Sequence, residues 1–301
     1  MYKQIVTRLV AVAALLIVAG ASHADSSPPS FAIGLGFDVS RGAFGGDTTS
    51  SFVSAPVMID WYPTTRLDFE LSVPLYYQQT LKSVSANGSV VAKEAARGPM
   101  GGAGSSTMGG TSLSPGPVAE STNSATVSTS SGSGGGVLGN DYGMGDITLT
   151  GGYNLLEDGE SSLLVRPTLY IKFPTADESK GFGTGKFDFG AGVALSKWLG
   201  SWQPFTEGRY IVQGAANDGS GALNFLTVDA GLAYRWTERL VTSVYARTGS
   251  ALFEGTTAPL EARLKVSWRF GEKTYTDLYA LKGFGDGSPD YGGGASLFVE
   301  F

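Results

Sequence analysis

The sequence predicts an all-β protein, a transmembrane antiparallel up-and-down β-barrel of about twelve strands. Three observations carry that expectation. One segment alternates strictly over eleven residues, the same period recurs along the chain, and no later apolar run is long enough for a membrane helix.

The clearest segment is 260–270, LEARLKVSWRF. Leu260, Ala262, Leu264, Val266, Trp268 and Phe270 fall on one parity, and Glu261, Arg263, Lys265, Ser267 and Arg269 on the other. Successive side chains of a strand point to opposite faces, so this is a strand with an apolar and a charged face. A strand crossing a bilayer needs about 9–11 residues. A row of charges is too costly to bury against an apolar core. The charged face therefore looks into a wet lumen and the apolar face into lipid.

The N-terminus reads as a secretory signal, 1–24. Lys3 and Arg8 precede an apolar stretch, and Ser22-His23-Ala24 fits a small-x-small cleavage site, which puts the mature start at Asp25. Removing Lys3 and Arg8 from the 21 basic residues leaves 19 against 27 acidic ones, a formal charge of −8. That balance argues against a nucleic-acid partner. The chain has no cysteine, which excludes disulfides and a lipidated cysteine anchor.

In chain order, 30–39 alternates Phe31, Ile33, Leu35, Phe37 and Val39 with small residues and Asp38. Segment 51–61 sets Val53, Val57, Ile59 and Trp61 against Asp60, and a turn follows at 63–66. Segment 67–81 sets Leu67, Phe69, Leu71 and Val73 against Asp68, Glu70 and Ser72. From 82 to 143 Gly, Ser, Thr and Ala dominate without a period, a composition too poor in apolar residues to offset ordering entropy. Alternation resumes at 144–155 with Asp146 on the polar side, then at 161–173 with Arg166 and Lys172, and at 185–198 with Asp188. Segments 203–215, 222–236, 240–253, 274–283 and 291–301 complete the set together with 260–270.

Connections after the even strands are short, and those after the odd strands are longer or Gly-rich. An even strand number with short turns at one end is the pattern of bacterial outer-membrane barrels. It places both termini in the periplasm and the 82–143 loop outside the cell. The last strand ends on Phe301, which resembles the C-terminal signature that the barrel-assembly machinery reads. That machinery and the outer-membrane lipid are the expected partners. A secreted β-sandwich would need a dry core on the parity that here carries the charges. Trp61, Tyr153, Trp198, Tyr210, Tyr234, Trp236, Trp268 and Phe301 sit near strand ends on the expected outward parity, as an interfacial girdle does.

Enzyme chemistry finds little support. The single histidine, His23, lies in the signal, so no Ser–His or Cys–His nucleophile can be built after it. His/Cys metal sites are excluded on the same ground, and no metal or cofactor is expected. Asp286 and Asp290 in DGSPD are carboxylates that could bind calcium, but the segment reads more simply as a turn.

What remains is the lumen. On the inward parity Asp38, Asp60, Asp68, Glu70 and Asp146 form an expected acidic wall, and Arg247, Arg263, Lys265 and Arg269 a basic one. Separated by water, these walls would set a transverse field across a pore. Packed together, they would instead fill a narrow barrel with ion pairs. Both readings stand on the sequence.

Segment 172–192, KFPTADESKGFGTGKFDFGAG, reads as strand, Pro-Thr, polar loop, Gly-Thr-Gly, strand. It resembles the core motif of the family of the MetA pathway of phenol degradation, a group of proteobacterial outer-membrane proteins. The matching residues are Lys172, Pro174, Thr175, Asp177, Gly183, Thr184, Gly185 and Asp188, with Ala176 where the family commonly has Gly. The resemblance implies outer-membrane passage of small molecules, hydrophobic or aromatic compounds among them, and leaves the solute unspecified. The alternative is a structural or interaction barrel with a closed pore and an exposed loop. Read from its residues alone, 174–184 is simply a well-formed extracellular hairpin loop.

Overall fold

The computed structural model describes residues 31–42, 50–79, 104–105, 119–120, 140–155, 163–176, 183–216, 222–252, 254 and 256–301. The predicted signal, 1–24, lies outside them, as does most of 82–143.

The first strand, β1 (Phe31–Gly42), is followed by β2 (Ser50–Ser54), β3 (Val57–Trp61), β4 (Leu67–Val73) and β5 (Leu75–Gln79). Two-residue strands β6 (Gly104–Ser105) and β7 (Ala119–Glu120) pair with each other. Then come β8 (Asn140–Met144), β9 (Ile147–Tyr153), β10 (Leu163–Phe173), β11 (Asp188–Lys197) and β12 (Trp202–Gln213). The chain ends with β13 (Phe225–Thr237), β14 (Leu240–Gly249), β15 (Leu260–Arg269), β16 (Thr274–Gly283) and β17 (Tyr291–Glu300). The described residues contain no helix.

Neighbours in sequence pair antiparallel from β9 through β17, and β17 pairs back onto β1 from Ala32↔Glu300 to Arg41↔Tyr291. The sheet is thereby closed into a barrel of twelve staves, as the sequence predicts. Closure leaves no long edge for another chain to add to.

Three staves are interrupted where the sequence suggests continuous strands. Pro56 separates β2 from β3, Pro74 separates β4 from β5, and Gly145-Asp146 separate β8 from β9. Proline has no N–H to give a ladder, so it marks a break in a sheet. The carbonyls are still used: Gly36 N–H donates to Pro56 O at 2.8 Å and Gly145 N–H to Pro74 O at 2.8 Å. Above the breaks β2 pairs with β1 and β5, and β5 with β8, while below them β3 pairs with β1 and β4, and β4 with β9. β8 begins inside the range read from composition as loop.

Burial follows the predicted parity. Leu169 on β10 is 67% exposed and Arg166 1%. Leu264 and Trp268 are exposed on β15 while Glu261, Arg263 and Lys265 are buried. The outward face is apolar and the lumen polar, the inverse of a soluble core. One girdle residue departs from expectation. Trp198 is buried and turns inward, with the Arg235 guanidinium 4.3 Å from its ring centroid, because residue 198 continues the inward parity of Ser196. Trp202 takes an outward place instead, edge-on to Tyr234 at 4.6 Å, and Tyr234 in turn packs edge-on against Trp236 at 4.7 Å.

Candidate functional site: the lumen

The inward positions of six adjacent strands line up in one register row. Arg166 on β10 faces Ala194 on β11, then Glu207 on β12, Asp229 on β13, Arg247 on β14 and Glu261 on β15. Arg209 and Arg263 stand two residues along from Glu207 and Glu261. Because strand pleat sends i and i+2 to the same side, they join the same belt.

The belt is ion-paired throughout. Arg247 is bidentate on Asp229, Nε to Oδ1 at 2.8 Å and Nη2 to Oδ2 at 2.6 Å. Arg209 Nη2 donates to Glu207 Oε1 at 2.8 Å, and Arg263 Nη2 approaches Glu261 Oε2 at 2.7 Å. Arg166 reaches across β9 to the carboxylate of Asp68 on β4. All eight side chains are at least nine-tenths buried.

This arrangement redraws the two expected walls. Each residue of the basic wall meets an acid on its own strand or close beside it. Arg247 has Asp229, Arg263 has Glu261, Lys265 Nζ lies 3.1 Å from Asp277, and Arg269 is bidentate on Glu300 at 2.7 and 2.8 Å. Asp68 of the acidic wall pairs with Arg166 and Asp146 with Lys172. Asp38, Asp60 and Glu70 lie on β1, β3 and β4, all buried. Asp38 accepts from Ser54 Oγ at 3.2 Å and Tyr279 Oη at 2.9 Å, and Asp60 from Tyr62 Oη at 3.4 Å. The pairing partners Arg166, Glu207, Arg209, Asp229, Asp277 and Glu300 lie on the inward parity of their strands, but parity alone does not say which ones stand opposite each other.

Small inward residues make room for large neighbours. A Cβ on Gly152 would overlap the Arg166 guanidinium, and one on Gly34 would overlap the Phe298 ring. Apolar clusters share the lumen with the charges: Met58, Tyr275 and Phe298 in one, Phe205, Ala233, Val241 and Tyr245 in another.

The motif residues converge on one node. Lys172 Nζ lies 2.7 Å from Asp188 Oδ2, 3.3 Å from Asp146 Oδ2 and 3.1 Å from Thr184 Oγ1. Asp188 also accepts from Gly214 N–H at 3.0 Å. Thr175 Oγ1 accepts from Ile147 N–H at 2.9 Å and lies 3.3 Å from Gly145 O, its acceptor. It thus replaces ladder bonds that the β8–β9 interruption removes. Gly183 packs where a Cβ would stand 2.6 Å from Ala176 Cβ and 2.7 Å from Asp146 Oδ1. Gly185 takes a φ of 65°, open to glycine at little cost. Pro174 ends β10, and Asp177 lies outside the described residues. The motif is therefore a brace between β8, β9, β10, β11 and β12.

At the other end of the barrel Phe301 N–H donates to Phe31 O at 2.9 Å, and the two rings stack at 4.9 Å. The C-terminal aromatic clasps the seam between the first and last strands. Among the described residues no group of His, Cys, Asp and Glu is arranged to hold a metal.

A closed antiparallel barrel with an apolar exterior and an ion-paired polar lumen is an outer-membrane-type β-barrel. The chain belongs to the family of the MetA-pathway of phenol degradation, whose sequence profile it matches over residues 45–301. In three dimensions it is similar to the COG4313 outer membrane channel from Pseudomonas putida F1, with 15% identity and a TM-score of 0.55 over 93% of this chain and 98% of that one. KdgM porin (6% identity, TM-score 0.48, 90% and 99% covered) and the P. putida toluene transporter TodX (12%, 0.43, 91% and 91%) are more distant neighbours. No curated protein matches the sequence.

Proposed function

We propose that this chain is an outer-membrane channel that lets small molecules cross passively, without chemistry on them. The observation that carries the reading is the lumen itself: a barrel closed to lipid whose inner wall is lined with hydrogen-bonding groups. Family membership and the fold shared with an outer membrane channel support it. Hydrophobic and aromatic compounds are the first solutes to test, given the family's description. Both termini lie in the periplasm in this reading, and the C-terminal strand with Phe301 is what the barrel-assembly machinery engages. The loop 82–143 then faces the outside, so protease added to intact cells cuts within it and leaves the barrel folded.

A second reading, a structural barrel with a closed pore, is favoured by one observation. The lumen charges are buried and paired, with Arg166, Arg247 and Arg263 each 1% exposed. Proteoliposomes separate the two. Flux of added solutes above protein-free vesicles supports the channel, and its absence across a panel of neutral, anionic and cationic solutes leaves the structural barrel.

A further inference from the structure

At the barrel end that carries the 284–290 turn, the outward face stays apolar to the rim on β12 and β15, where Val212 and Leu260 are exposed. The seam differs. Lys282 on β16, Tyr291 on β17 and Arg41 on β1 stand side by side in one register row, and all three are exposed on the lipid-facing parity. The two bases flank Tyr291 on strands about 10 Å apart. Neither has an ion-pair partner among the described residues, although Asp286 and Asp290 of the adjoining turn are also exposed. Below Tyr291 the outward places of β17 fall to Gly293 and Ala295. Ala295 pairs with Leu278 on β16 and with Phe37 on β1, which are 46% and 45% exposed. Two small residues between larger walls make a shallow furrow in the lipid face, open to the outside and running from the bases into the apolar band.

We propose that this seam binds a phosphorylated lipid of the outer leaflet, its phosphate held by Arg41 and Lys282 and an acyl chain laid in the furrow over Gly293 and Ala295. The choice of leaflet rests on the topology proposed above, with both termini in the periplasm. Charge complementarity selects the headgroup. A phosphate at the water–lipid boundary takes charge-assisted hydrogen bonds from both bases, and the Tyr291 hydroxyl is a third donor between them. The furrow selects the tail, since a chain lying in it makes close contacts that a flat wall does not offer. A base that merely reaches up to water needs no second base beside it and no groove beneath.

The test titrates the full-length protein in detergent, folded by heat-modifiable gel mobility, with bacterial lipopolysaccharide, with the same glycolipid after dephosphorylation, and with phosphatidylglycerol. Wild type binds the intact glycolipid more tightly than either of the others. Arg41→Gln with Lys282→Gln weakens this roughly thirtyfold, the effect of two bases near an anionic surface. Lys197→Gln with Arg239→Gln removes the same charge from exposed places at the other end and leaves binding unchanged. Ala295→Trp fills the furrow from the lipid side and weakens binding while the preference for the phosphorylated form persists. Undiminished binding by the folded Arg41→Gln/Lys282→Gln protein overturns the site, as does equal binding of the dephosphorylated glycolipid or full binding by Ala295→Trp. Phosphatidylglycerol bound as tightly as the intact glycolipid overturns the choice of the outer leaflet. Topology is read separately by protease on intact cells and solute passage by proteoliposomes, so neither of those readings falls with the lipid site.

Discussion

Arg166 lies across the bare backbone of Gly152. The guanidinium occupies the place a Cβ would take, and by crossing β9 there it pairs with Asp68 on the far strand. The ion pair thus depends on an absent side chain in a strand to which neither partner belongs.

Gly152→Ala is expected to displace the guanidinium and leave both charges buried without their partner. The cost is about 3–5 kcal/mol, the range for breaking a buried pair. Gly208→Ala is the control, since nothing lies within 4 Å of a Cβ there. Denaturant unfolding of both variants in detergent checks the difference, and equal midpoints would remove the role given to Gly152.

Lipid-facing and lumen-facing substitutions on β15 should fail for different reasons. Leu264→Arg costs ~2–4 kcal/mol near mid-membrane because a charge meets lipid. Lys265→Leu would be nearly harmless on a water-filled wall, but here Asp277 is 3.1 Å away and buried, so the variant is destabilised as well. Only the second is rescued by Asp277→Leu in the same chain, since replacing a whole buried pair by apolar residues is often neutral. A double-mutant cycle on folding into liposomes reads this out.

Thr175→Val removes the hydroxyl that serves Ile147 N–H and Gly145 O. The unsatisfied groups cost ~1–3 kcal/mol, and Thr175→Ser restores most of it. Amide hydrogen exchange at Ile147 should accelerate in the valine variant and remain slow in the serine one. Uniform exchange across all three proteins would show that the interruption holds itself in place.

Arg269→Lys keeps the charge at the C-terminal end of β15 but cannot reproduce the fork on Glu300. Loss of stability is expected with little change in conductance, because the pair clamps the C-terminal strand. A conductance change equal to that of a belt variant would place Arg269 on the solute path.

Most of the barrel was legible because lipid and water impose a period of two that soluble strands usually keep for only about four to eight residues. The segment 260–270 gave both faces of β15, and 274–283 matched β16 to the residue. The walls were less legible because pairing depends on register. Asp229 meets Arg247 only because the ladder slips by one residue between Arg235 and Thr237. A regular two-residue turn at 238–239 would set inward residues of one strand against outward ones of the next, so the bulge is required, yet no residue type announces it. The interruptions were half legible: Pro56 and Pro74 mark two of them, whereas Gly145-Asp146 carries no such mark. The motif's likeness was read correctly as to family, but its bracing role needed Asp146 from a segment well before it in the chain.

The clasp between Phe31 and Phe301 bears on how the chain could be rewired. Since the first and last staves are hydrogen-bonded neighbours, a short linker can join the ends and a new opening can be cut at the 63–66 turn or at 238–239. Such a circular permutant preserves every pair in the wall while ending on a different strand, without a terminal phenylalanine. On the proposed reading of the C-terminal strand as the assembly signal, it would refold in detergent like the parent yet be poorly inserted in cells, separating the information that shapes the cylinder from the address that delivers it.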